Sequence, residues 1–112
     1  MARSYGLDLI AYEAGAHLIG TGSLANNTTV SGFFGAANRD PRMGDMYTLY
    51  MNLWKDNGGQ LNAIYNSVSP SNNDGSLGTK EYQTQPRSEA PKFDAIVNFV
   101  ETTPCWWEGC GR

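Results

Sequence analysis

The chain has 112 residues, of which 40% are hydrophobic and 17% charged, and its formal net charge is −3. This describes one folded domain or a piece of one and excludes a disordered chain. The scattered Lys and Arg form no basic face for nucleic acid, and no apolar run approaches the roughly 20 residues that cross a bilayer, so neither is an expected partner.

The first six residues, Met1 to Gly6, carry no signal-peptide core. The protein is therefore expected either in the cytosol or behind a leader or upstream domain outside this sequence. Residues 7–12 (LDLIAY) read as a short apolar strand. It releases Glu13 onto the small-residue turn Ala14-Gly15, which is how a parallel α/β scaffold sets a catalytic group at a strand end. Residues 14–29, rich in Gly, Ser, Asn and Thr, read as a loop, and Asn26 and Asn27 each begin an Asn-X-Thr sequon. Residues 30–38 suit a short helix with Phe33, Phe34 and Ala37 turned inward.

Asp40 is a good helix N-cap and Pro41 suits the first helical position. Met43, Met46, Tyr47, Tyr50, Met51 and Trp54 then recur at the spacing of one helical face, and Asn57-Gly58-Gly59 is a stop signal, which predicts a helix over 41–56. That stripe reads as core packing. Residues 60–68 read as a second strand through Leu61, Ala63, Ile64, Tyr65 and Val68. Residues 69–86 are a long polar segment. Pro91 opens a last helix with Phe93, Ile96, Val97 and Val100 on one face, ending before Pro104.

Cys105 and Cys110 bracket Trp106-Trp107-Glu108-Gly109. The spacing permits a small disulfide loop, with two free thiols as the plain alternative. Structural zinc takes about four ligands, and the single His, His17, is far away in the chain, so no metal is expected. On an extended segment Trp106 and Trp107 would point to opposite sides.

The order strand, long loop, helix, strand, long loop, helix is a βαβα unit of the α/β class. Its strands should be parallel neighbours joined by a right-handed crossover. Both long loops follow strands, so a site is expected on the C-terminal face of the sheet. Two parallel strands need cover on both faces, which implies completion by self-association or by missing residues. Residues 1–103 form this unit and 104–112 a Cys-bounded tail.

Several motifs then fall in a familiar order: Tyr12-Glu13-Ala14-Gly15 with His17-Leu18, Ala37-Asn38-Arg39-Asp40-Pro41-Arg42-Met43 with Tyr47, Trp54-Lys55, and Gly58-Gly59. Gly75-Ser76-Leu77-Gly78, Glu81-Tyr82-Gln83 and Pro91-Lys92-Phe93-Asp94-Ala95 continue it. From about residue 5 to 100 the chain resembles the last two βα units of a bacterial glycoside-hydrolase-like (β/α)8 TIM barrel. The resemblance implies that Glu13 stands where retaining enzymes of this type carry their nucleophile, at the end of the seventh strand. Tyr12 would tune or orient it. The general acid of that family lies near the end of the fourth strand, which this chain does not contain. Ala14 stands where the family pattern has Gly, and Leu77 where it has Trp, a sugar-stacking platform.

Retaining hydrolysis needs two carboxyl groups about 5–5.5 Å apart and inverting hydrolysis about 6.5–9.5 Å. The acids on the loop face are Glu13, Asp74, Glu81 and Glu89. Glu81 is the one that could pair with Glu13 across adjacent strands, or act as a solvated loop acid. Tyr12, His17, Tyr65 and Glu81 are the candidate substrate contacts, with His17 touching a sugar hydroxyl or orienting Glu13. No Ser-His or Cys-His pair and no phosphate loop is present, and no cofactor is expected.

Three functions compete. The first is a carbohydrate-active enzyme fragment acting on an oligosaccharide or polysaccharide. The second is a self-assembling protein that closes into an oligomer or extends as a filament. The third is a carbohydrate-binding module without catalysis. Abundant Asn, Gly, Trp and Tyr suit an extracellular protein, secreted as part of a longer precursor.

Overall fold

Two strands, β1 (Leu9–Ala14) and β2 (Gly59–Ile64), lie side by side and parallel, as the βαβα order requires. The computed structural model that shows this describes residues 2–111. Met1 and Arg112, the outer ends of the two expected segments, lie outside the described residues. The fold is mixed α/β, with a two-stranded parallel sheet and three α-helices in the order β1, α1, α2, β2, α3.

In register, Leu9 stands opposite Gly59, Ala11 opposite Asn62 and Ala14 opposite Ile64, with an irregularity in each interval. The strand begins and ends two residues later than the apolar run suggests, so Glu13 is its penultimate residue. The second strand is shorter than the expected 60–68. After Ile64 one further bond, from Tyr65 N–H to the Ala14 carbonyl at 2.7 Å, continues the ladder. The Tyr65–Asn66 peptide is cis, and Val68 bridges to Lys80 instead of β1.

The first helix, α1 (Thr28–Arg39), starts in the segment expected to be loop, because the Asn27 side chain accepts from the amides of Thr29 and Val30. The expected inward set is corrected. Phe33 is 69% exposed, and the buried positions of α1 are Gly35 and Asn38. Asp40 closes α1 and caps α2 (Pro41–Asp56) by accepting from Arg42 N–H at 2.9 Å. On α2 the buried side chains are Met43, Tyr47 and Met51, four residues apart, while Met46 of the predicted stripe is exposed. Helix α3 (Pro91–Thr102) buries Lys92 and Ala95, and Val100, expected inside, faces solvent.

One core results. Met43, Tyr47, Met51 and Ala95 are its centre, with Leu18, Ile64, Ile96 and Phe99 packed around them. It lies between the α2–α3 pair and one face of the sheet. The tail folds onto it: Cys105 and Cys110 stand at disulfide distance, with Cα atoms 5.6 Å apart. The tail turns rather than extends, so the two indoles meet edge to face at 4.6 Å, and Trp106 packs edge-on against Phe99.

Two indoles also secure the start of β2. Trp54 Nε1 donates to the Gln60 carbonyl at 3.0 Å and Trp106 Nε1 to the Gly59 carbonyl at 2.7 Å. Trp54 lies so close over Gly59 that a Cβ there would stand 2.2 Å from Cε2 of the ring. Gly59→Ala is therefore expected to swing the indole away and cost about 1–3 kcal/mol. Gly32, in α1 with open space around it, should instead gain about 0.5–1 kcal/mol as Ala. Urea denaturation midpoints of the two variants should move in opposite directions.

Candidate functional site

The C-terminal ends of β1 and β2 open on a cleft of about 580 Å³. Tyr12, Glu13, His17 and Tyr65 all line it, with Leu77 as a further wall. Four of the residues picked out from sequence thus share one site. Glu13 and Tyr12 arrive on the last turn of the β1 ladder, and Tyr12 is 89% exposed. Tyr65 arrives on the residue after β2, held beside Ala14 by its own amide.

His17 is positioned by the turn that follows β1. Gly15 has φ +129°, and a Cβ there would stand 2.9 Å from the Tyr47 hydroxyl and 3.0 Å from the Tyr65 carbonyl. Only glycine fits. The next amide, Ala16 N–H, donates to the Tyr47 hydroxyl at 2.9 Å. The floor of the cleft is therefore fastened to the core of α2.

Leu77 comes from the polar segment after β2, which is tied down rather than free. Ser76 N–H donates to the Leu18 carbonyl at 2.9 Å, Thr79 N–H to Asn66 at 2.9 Å and Lys80 N–H to Ser67 at 3.0 Å. From below, Lys92 Nζ donates to the Leu77 carbonyl at 2.9 Å and reaches Ser76 at 3.4 Å. Lys92 is only 1% exposed and stands 5.7 Å from the centre of the Tyr47 ring. Burial pushes its pKa down to about 8, with the Glu81 carboxylate pulling the other way.

Glu81 lies outside this cleft. Its Oε2 accepts from Arg39 at 2.7 Å, and its own amide donates to Gln85 Oε1 at 2.6 Å. Asp74 sits in the Asn72–Gly75 turn, and Glu89 accepts from the Tyr82 hydroxyl at 3.5 Å. Neither lines the cleft. Glu13 is the sole acid among the eight lining residues. One carboxylate can attack a carbon or accept a proton, but it cannot be acid and nucleophile in the same step. Among the described residues no cluster of three or more His, Cys, Asp or Glu could hold a metal ion, and no helix is long and apolar enough to cross a membrane.

Sequence reasoning missed the two residues that hold the cleft in shape, Tyr47 and Lys92. Tyr47 reads as ordinary core stripe. For Lys92 a signal exists: a cation in the first turn of a helix opposes the helix dipole, so its presence there hints at a tertiary use.

Comparison with protein-family models, with curated proteins and with solved structures finds no match.

The buried lysine makes a signed prediction. In the native state Lys92 loses its proton near pH 8, against an ordinary value of 10.5. Between those values the unfolded chain holds a proton that the native chain has released, so stability rises with pH. Burial raises the Tyr47 pKa above 10, and this works in the opposite direction above pH 10. The melting temperature is expected to climb from about pH 8 to about 10 and then to stop climbing. Lys92→Met should flatten that rise in a pH series followed by circular dichroism.

Proposed function

We propose that this chain carries the nucleophile side of a glycoside-hydrolase-type site, on a unit equivalent to the last two βα units of a (β/α)8 barrel. The observation that carries the reading is the shared cleft: Glu13 at a parallel strand end, with Tyr12, His17 and Tyr65 around the same space. Each has a chemical role in such a site. The carboxylate attacks the anomeric carbon, an exposed tyrosine offers a flat face to a sugar ring, and the imidazole and second phenol hydrogen-bond to hydroxyls. The cleft volume falls within the range of small-ligand sites. A disulfide-distance cysteine pair suits a secreted protein, where polysaccharides are met.

The lone acid favours a second reading for the isolated chain, a carbohydrate-binding unit that does not turn its ligand over. A retaining reaction needs a second carboxyl about 5–5.5 Å from the first, and none lines the cleft. The acid/base would come from outside the described residues.

Titration of isotope-labelled protein with cello-, xylo- and manno-oligosaccharides, followed by NMR, tests the proposal. At least one series should shift the resonances of Tyr12, Glu13, His17 and Tyr65 with no release of reducing sugar. Tyr12→Ala should weaken that binding up to about tenfold through loss of the ring face. Shifts confined to Trp106 and Trp107, or no shifts with any of the three series, would refute the assignment of this cleft.

A further inference from the structure

The chain exposes more surface than a finished molecule of its mass. Its accessible area is 7513 Å² for 12.2 kDa, where a compact monomer of that mass exposes roughly 6,100 Å². Its radius of gyration is 15.6 Å, against about 13 Å for a compact domain of this length. The excess of roughly 1,400 Å² is close to two patches of about 700 Å², each near the 800 Å² that one partner gives to a standard interface.

Two apolar patches are exposed, one reaching the turn that follows β1 and one beside β2. The first is a stripe at helical spacing on α2, formed by Met46, Leu49 and Leu53, each more than half exposed. Met46 borders the Gly15-Ala16 turn that follows β1. The second is a groove of about 430 Å³ between Leu61, Phe99, Val100, Trp106 and Trp107. Leu61 and Val100 are also more than half exposed. One patch offers a ridge and the other a groove. The outer edges of β1 and β2 have no strand neighbour among the described residues. Unpaired edges of this kind recruit further strands.

We propose that copies of this chain associate head to tail, the β2 edge and Trp-lined groove of one receiving the β1 edge and the Met46, Leu49 and Leu53 stripe of the next. The parallel sense favours this arrangement. A neighbour's β1 placed beside β2 repeats the relation that β1 and β2 already have within one chain, and it brings a neighbour's α2 over α3 and the tail. A two-fold contact of β2 with β2 would run those strands antiparallel and leave the helical stripe uncovered. Because the contact is heterologous, each copy keeps one flank free for the next, and the series ends only by closing into a ring. Four copies would supply the eight strands of a small closed barrel. The association is independent of whether Glu13 meets a sugar.

Sedimentation equilibrium across a wide concentration range is the test. The wild-type chain should show a mass above 12.2 kDa that grows with concentration toward a limit. Leu61→Glu and Leu49→Glu each alter one flank at a position exposed in the single chain, so each should keep its helical circular dichroism while associating on the order of 30-fold more weakly. An equimolar mixture of the two variants should recover a one-to-one dimer, since each retains the flank that the other has lost. A wild-type chain that stays monomeric at every concentration would overturn the proposal. So would a mixture that fails to recover the dimer while the wild type associates, because the contact would then not be head to tail.

Discussion

The Tyr47 hydroxyl, buried on α2 and accepting the Ala16 amide, is the contact on which the rest of this structure depends. It joins the hydrophobic core to the turn that carries the candidate site. A phenol can do this because its ring packs like any core aromatic while its oxygen meets a partly buried backbone donor. The geometry constrains its neighbours in turn. Gly15 must lack a side chain because the hydroxyl occupies that space. Lys92 stands over the ring, 5.7 Å from its centre, its ammonium held by the carbonyls of residues 76 and 77. Pulling a lysine so far from water is costly, and burial lowers its pKa accordingly. The same ammonium fixes the segment that brings Leu77 to the cleft.

The polar segments after the two strands are organised by backbone bonds rather than by regular ladders. The loop from Asn66 to Lys80 closes on itself through the Asn66–Thr79 and Ser67–Lys80 pairs, and it reaches β1's own loop through Ser76 and Leu18. A cleft wall of this kind costs conformational entropy and little apolar area. Its order therefore rests on hydrogen bonds, among them those that Lys92 of α3 donates to the carbonyls of residues 76 and 77. Glu81, which sequence spacing offers as a partner for Glu13, is drawn to Arg39 at the end of α1. A guanidinium is a strong competitor for a carboxylate, here through one charge-assisted bond to Oε2, and this contact ties the far end of the loop to α1.

The sheet is the least finished part of the molecule. Parallel strands are stable when both faces are covered, and here the helices cover one. Ile10 and Leu61 stay exposed. The molecule is only 22 Å through its thinnest dimension, two layers of secondary structure at most. Hydrophobic burial is thus concentrated between α2 and α3, with Ile64 the strand residue that joins it.

Helix α2 was legible from the sequence to the residue, because its Asp40-Pro41 start and Asn57-Gly58-Gly59 stop act locally. The parallel pairing followed from strand–helix–strand order, and the cleft from a carboxylate at a strand end. The helix limits are set by neighbours in the chain, and the pairing by the order of the elements alone. The start of α1 was missed because Asn27 and the threonines after it belong to a Gly, Ser, Asn and Thr-rich stretch that reads as loop, and Asn27 caps a helix only when the following residues already turn. Phe33, Met46 and Val100 were misplaced because periodicity identifies an apolar stripe but not which part of it meets a neighbour. The tertiary structure alone decided that Glu81 goes to Arg39, that Lys92 is buried and that Trp106 meets Gly59. Each of these contacts joins residues far apart in the chain, and a linear pattern carries no distance between them.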